Sequence, residues 1–137
     1  MILVDSSVWI DLLRKKQTPQ TQRLRDLLET NHAAIAPVIY QEILQGASSL
    51  ENLARLREYF SSLPFLLPLA PIGTYEKAGE FYVRCRRSGI TPRSPHDCLI
   101  ACIAIEHRTP LLHDDRDFEA IARVEPRLLL DPVQEKS

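Results

Sequence analysis

Acidic residues stand close behind apolar runs at four widely separated places in this chain. Asp5 follows Ile2-Leu3-Val4, and Glu42 lies six residues past Ala33-Ala34-Ile35-Ala36. Asp97 opens the apolar stretch Cys98 to Ile105, and Asp114, Asp115 and Asp117 crowd behind Leu111-Leu112. If the apolar runs are parallel strands, the residues after them gather at one edge of the sheet, where open α/β folds place their sites. Carboxylates gathered there repel one another unless a cation lies between them. A hard divalent ion such as Mg²⁺ takes oxygen ligands and keeps several waters, which leaves room for phosphate oxygens. The chemistry this suggests is metal-dependent phosphodiester hydrolysis, with one ion or with two roughly 4 Å apart clamping the attacking and leaving oxygens. A metal-activated water needs no nucleophilic side chain. The chain has no G-x-S-x-G, P-loop or G-x-G-x-x-G motif to argue otherwise.

Each acid also has an ordinary structural role open to it. Asp5 can cap a helix, Glu42 can be a solvated helical residue, Asp97 can favour a helix dipole, and the 114–117 run can be a solvated loop. The joint pattern, one acid beyond each successive apolar run, is what carries the metal reading.

The elements that must position these acids follow from the hydrophobic pattern. Strands are expected at 1–4, 33–36, 64–69, 110–112 and 128–130, the third short or at an edge because prolines flank it. Helices are expected from Ser6 or Ser7 through Leu13, from Pro19 to about Thr30, from Pro37 to Gly46, from Ser48 or Ser49 to Phe60, from about Ile72 to Arg87, from Pro95 to His107, and briefly around Phe118 and Ile121. The apolar stripe of the 72–87 helix reads as Ile72, Tyr75, Ala78, Tyr82 and Cys85. The 95–107 helix is apolar nearly all round and should be central. Strands alternating with helices predict a three-layer α/β/α fold with a mostly parallel sheet of four to five strands. The 137 residues fit a single domain, with 131–137 as a polar tail.

Net charge is −1, which excludes a globally basic nucleic-acid binder, yet 13 of the 17 basic residues are Arg. Arg84, Arg86, Arg87 and Arg93 precede Asp97 in sequence and could meet a phosphate backbone. His96 and His113 abut the acids and could touch phosphate or water, although loop histidines are more often merely satisfied. Three cysteines without paired short spacing make no disulfide framework. No basic segment precedes an apolar stretch, and no apolar run approaches membrane-spanning length. A cytoplasmic protein is expected.

The chain resembles the PIN-domain ribonucleases, and more closely the VapC-type toxins of bacterial toxin–antitoxin pairs. Four blocks carry the resemblance in order: 2–11 (ILVDSSVWID), 37–43 (PVIYQEI), 95–101 (PHDCLIA) and 111–118 (LLHDDRDF). It implies a parallel-sheet α/β/α fold and Mg²⁺- or Mn²⁺-dependent endonucleolytic cleavage of structured RNA. It also implies a homodimer and a VapB-type antitoxin that blocks the site, in a heterotetramer or larger assembly. By position it assigns Asp5, Glu42 and Asp97 as core metal ligands and Asp115 as the fourth acid. Asp117 matches a recurrent acid as well, so the choice between Asp115 and Asp117 stays open. Ser6 matches an assisting hydroxyl, and His113 stands where Thr is frequent. Trp9, Leu12, Leu13, Leu53 and Leu56 are candidates for an antitoxin groove or for the core. Two other readings compete: a haloacid-dehalogenase-like phosphatase, which wants an Asp where Ser7 stands, and a non-catalytic PIN-like module that binds RNA or protein.

Overall fold

The computed structural model describes residues 1–133. Three parallel strands form the sheet: β1 (Ile2–Val4), β2 (Ala33–Ala34) and β3 (Leu111–Leu112), in the order β2-β1-β3. Leu3 pairs with Ala34 on one side and with Leu111 on the other, and Val4 pairs with Leu112. These strand residues are apolar and, apart from Ile2, fully buried or nearly so, as a parallel sheet covered on both faces requires.

The sheet therefore has three strands rather than the expected four to five. The other two candidates contribute one bridge each, Phe65 beside Ile35 and Leu130 beside Leu111. Pro64 and Pro68 bracket the first of these and have no N–H for a ladder. Pro64 accepts from the Ile35 N–H at 3.1 Å, the Leu66 N–H donates to Ile35 at 2.8 Å, and pairing stops there. At the opposite edge the Asp131 N–H donates to Leu111 at 2.8 Å, and Pro132 follows.

Seven helices flank the sheet among the described residues: α1 (Ser6–Leu13), α2 (Pro19–Glu29), α3 (Pro37–Gln45), α4 (Leu50–Phe60), α5 (Gly73–Arg87), α6 (His96–Glu106) and α7 (Arg116–Val124). Their starts are set by local chemistry. Asp5 caps α1, Thr18 and Thr21 form a reciprocal capping box at α2, Pro37 opens α3, and Ser49 caps α4. α1 packs on α2 and α3, α5 packs on α6 and α7, and α3 also meets α6. Every residue of α6 from Asp97 to Ala104 is buried, so this helix is the central one, as its all-round apolarity predicts. Cys85, Cys98 and Cys102 are buried and none forms a disulfide.

Several expectations need correction. The buried stripe of α5 is Thr74, Ala78, Phe81 and Cys85, while Ile72 and Tyr75 are exposed. Thr74 tolerates burial because its hydroxyl bonds the Glu106 carboxylate. Of the two roles open to Trp9, groove or core, the structure gives it the core. It is fully buried, its Nε1–H donates to the Val4 carbonyl at 3.1 Å, and its ring meets Phe60 edge-on at 5.0 Å. The polar tail does not begin at residue 131, because Asp131 is buried and accepts two bonds from Arg23, at 3.0 and 3.1 Å. Residues 134–137 of that proposed tail lie outside the described residues.

Candidate metal centre

The register of β1 and β3 brings the first and last acidic segments together. Val4 and Leu112 are partners, and the next backbone group, the Asp5 N–H, donates to the Leu112 carbonyl at 2.9 Å. Asp5 and the 113–115 turn therefore leave the sheet side by side. Ser7 ties them: its hydroxyl donates to Asp5 Oδ2 at 2.7 Å and accepts from the Asp114 N–H at 3.2 Å. The Ser7 N–H adds a bond to the same Asp5 oxygen at 3.1 Å. Asp5 thus serves as a helix cap while standing among the acids. The backbone part of this contact is the ordinary side-chain turn of an Asp, which accepts from the N–H two residues on. Ser6 is also buried, and it acts on Glu42, opposing the rise in that carboxyl's pKa.

Asp97 enters from the first turn of α6 and Glu42 from within α3. Asp97 is 6% exposed and Glu42 half-buried. Asp97 Oδ2 and Glu42 Oε1 are buried with no hydrogen-bond partner. Burial, followed by the negative charge of Asp5, pushes the Glu42 carboxyl up to about 7. Burial also pushes Asp97 up to about 7, and Asp5, Asp115, Asp117 and Glu42 all add to the rise. Asp5 is raised as well, chiefly by burial, against the lowering effect of its bonds to Ser7. Asp97 thus lies within electrostatic reach of the other four acids.

The tightest grouping of acids among the described residues is Asp97, Asp115 and Asp117, each offering a carboxylate oxygen within 4.8 Å of the others. This differs from the expected inner trio of Asp5, Glu42 and Asp97. Asp5 Oδ2 is held by Ser7, whereas Asp115 and Asp117 are drawn together at the start of α7. Asp115 caps that helix, with Oδ1 accepting the Asp117 N–H at 2.9 Å. Arg93 reaches both acids, through Nη2 to Asp115 Oδ1 at 2.9 Å and through Nε to Asp117 Oδ2 at 3.3 Å.

The four arginines expected to act together are separated. Only Arg93 reaches the acids. Arg84 turns to the other end of α7, 3.4 Å from Glu125 and over the Phe81 ring. Arg86 and Arg87 stand exposed in the last turn of α5. Arg84 and Arg87 share a face of α5 that turns to the end of α7 beside Arg123 and Val124, away from the acids. His113 shapes the turn: its Nδ1 accepts the Asp115 N–H at 3.1 Å and its ring lies 5.5 Å from that of Phe118. His96 opens α6 and is exposed. A cavity of about 200 Å³ between α5, α6 and the end of α7 is lined by none of the acids of this centre. There Glu125 is held down to about 2, by its bonds to Arg127 first.

The donor set fits a hard divalent cation. It is all oxygen, it converges, and two of its buried oxygens have no other partner.

Known proteins resemble this chain in sequence and in fold. Residues 2–124 match the PIN domain family. The chain is 38% identical over 126 residues to Ribonuclease VapC11 of Mycobacterium tuberculosis, covering 90% of this chain and 93% of that protein. Its fold is similar to that in the crystal structure of VapBC2 from Rickettsia felis bound to a DNA fragment from their promoter, with a TM-score of 0.73, 21% identity, and 96% and 98% of the two chains covered. A toxin–antitoxin complex from Klebsiella pneumoniae is similar as well, with a TM-score of 0.65, 20% identity, and 99% and 100% covered. By its matched length, its relatives and its fold, this chain belongs to the PIN-domain family.

Proposed function

We propose that this protein is the toxin of a type II toxin–antitoxin pair, acting as a Mg²⁺- or Mn²⁺-dependent endoribonuclease on structured RNA. One observation carries the metal-dependent chemistry: the partnerless buried oxygens of Asp97 and Glu42, set among three further carboxylates at one sheet edge. Hydrogen-bonded structural acids would not be left that way. The relative named a ribonuclease supports RNA as the substrate. The similar fold in a structure described as a toxin–antitoxin complex supports an antitoxin partner; the VapB type of that partner and a homodimer inside a heterotetramer or larger assembly are part of the proposal.

Asp97, Asp115 and Asp117 would hold the ion, with Asp5 and Glu42 completing its oxygen environment. An ion held by these residues would supply Lewis-acid polarisation of a phosphoryl oxygen and a bound water acidic enough to attack at neutral pH. The chain's own residues hold that arrangement. Ser7 fixes Asp5 against the 114 turn. Asp115, as the cap of α7, is positioned by helix geometry rather than by a mobile side chain. Asp97 sits at the positive end of α6, which favours negative charge there.

The test is cleavage of a structured RNA in Mg²⁺ by the wild type, Asp5→Asn and Asp97→Asn, with circular dichroism to confirm folding. Each variant should lose at least about 100-fold in rate, the upper end for removing even an outer partner of a metal site. Wild-type cleavage by Asp97→Asn would remove Asp97 from the site. RNA that the wild type binds but never cuts would identify a non-catalytic binding module.

A further inference from the structure

Arg93 stands at the rim of the acidic group, its side chain 77% exposed, and reaches two of the acids. Its guanidinium lies 2.9 Å from Asp115 Oδ1 and 3.3 Å from Asp117 Oδ2, and its backbone N–H donates to the same Asp117 oxygen at 3.0 Å. Two of the three converging carboxylates are thus met by a cation from the chain itself. The third, Asp97, keeps a buried oxygen with no partner. A guanidinium donates hydrogen bonds and cannot ligate a metal. Arg93 and a divalent ion that takes the same two oxygens, Asp115 Oδ1 and Asp117 Oδ2, would therefore compete for them. An exposed guanidinium–carboxylate pair is weakly held, so the ion can displace it. The main-chain bond to Asp117 does not involve the guanidinium and keeps the residue at the rim after the side chain swings out.

We infer that Arg93 is an internal counter-cation of the centre, which yields Asp115 and Asp117 to the divalent ion and then turns its guanidinium to an RNA phosphate. The inference rests on the acids being a metal centre. In this role Arg93 couples metal loading to substrate binding.

The test is Mn²⁺ binding to the full chain without RNA, read by the electron paramagnetic resonance of the unbound ion, for the wild type, Arg93→Gln, Arg93→Lys and Asp97→Asn. Arg93→Gln should bind Mn²⁺ about 3- to 5-fold tighter, the scale of an exposed ion pair. Arg93→Lys, which keeps the charge, should remain near wild type, and Asp97→Asn should bind far more weakly. With Mn²⁺ saturating, a 2′-O-methyl oligoribonucleotide should bind Arg93→Gln with a log–log salt slope smaller by about 0.7, one phosphate contact on a single strand. Unchanged or weaker Mn²⁺ affinity in Arg93→Gln, beside a weakened Asp97→Asn, overturns the counter-cation while leaving the metal centre standing. An unchanged salt slope overturns the turn toward RNA. Failure of the wild type to bind Mn²⁺ overturns the metal centre and the inference with it.

Discussion

At the scale of single residues, Asp97 opposes the stability of the fold that holds it. Its carboxyl is pushed from an ordinary 3.8 up to about 7, first by burial and then by Asp5, Asp115, Asp117 and Glu42. Between those two values the folded chain keeps a proton that the unfolded chain has lost. Stability therefore falls as pH rises through that window. Glu42, also pushed up to about 7, acts with the same sign. Metal-free protein in EDTA should consequently melt at a higher temperature at pH 5 than at pH 8. Asp97→Asn should flatten that dependence and stabilise the fold at pH 8 by about 1–3 kcal/mol, allowing for relaxation around the buried charge. Thermal melts of both proteins across pH measure this. Identical melting at pH 8 would mean that Asp97 bears no electrostatic burden. Metal binding has the opposite pH sense, because its carboxylates must be deprotonated.

At the scale of elements, the end of α5 decides where Arg93 goes. The Ile90 N–H donates back to the Cys85 carbonyl at 2.9 Å and the Gly89 N–H to Arg86 at 3.0 Å, the paired bonds of a Schellman stop. Gly89 sits at φ +79°, a conformation that costs an L side chain roughly 1–2 kcal/mol. No heavy atom would crowd a methyl group there, so the cost is one of backbone and not of packing. Gly89→Ala should lower stability by about 1–2 kcal/mol in denaturant unfolding. A loss below about 0.3 kcal/mol would show that the stop does not depend on glycine. The sequence marks this stop plainly. It does not mark which face of α5 turns inward, because Thr74 reads as polar until its partner Glu106, 32 residues away, is known.

At the scale of the whole molecule, the parallel order β2-β1-β3 gathers acids from residues 5, 42, 97, 115 and 117 into one field. Stabilisation by bound ion should therefore be global and reversible. Mn²⁺ at 100 times its Kd should add about 2.7 kcal/mol, raising Tm by roughly 8–10 °C for a chain of this size. EDTA should remove the gain, and Asp97→Asn should not show it. Calorimetry with and without Mn²⁺ is the measurement, and an equal rise in Asp97→Asn would place the ion elsewhere.

The sequence by itself determined the order and type of the elements, because helix caps, glycine and proline stops and apolar periodicity act over a few residues. Asp5, Glu42, Asp97 and Asp115 were legible as candidates for the same reason: each follows an apolar run or sits beside a helix signal. The tertiary structure decided what depends on distant partners. It reduced the expected strands at 64–69 and 128–130 to single bridges, since a strand exists only where a neighbour offers a ladder. It buried Trp9 and Asp131, and it held Asp5 through Ser7. It drew Asp97, Asp115 and Asp117 together as the closest acids. From four arginines near one another in sequence it brought Arg93 to the site and turned Arg84 to Glu125. Side-chain direction and electrostatic coupling fall off within several ångströms of space, and linear spacing does not encode that distance.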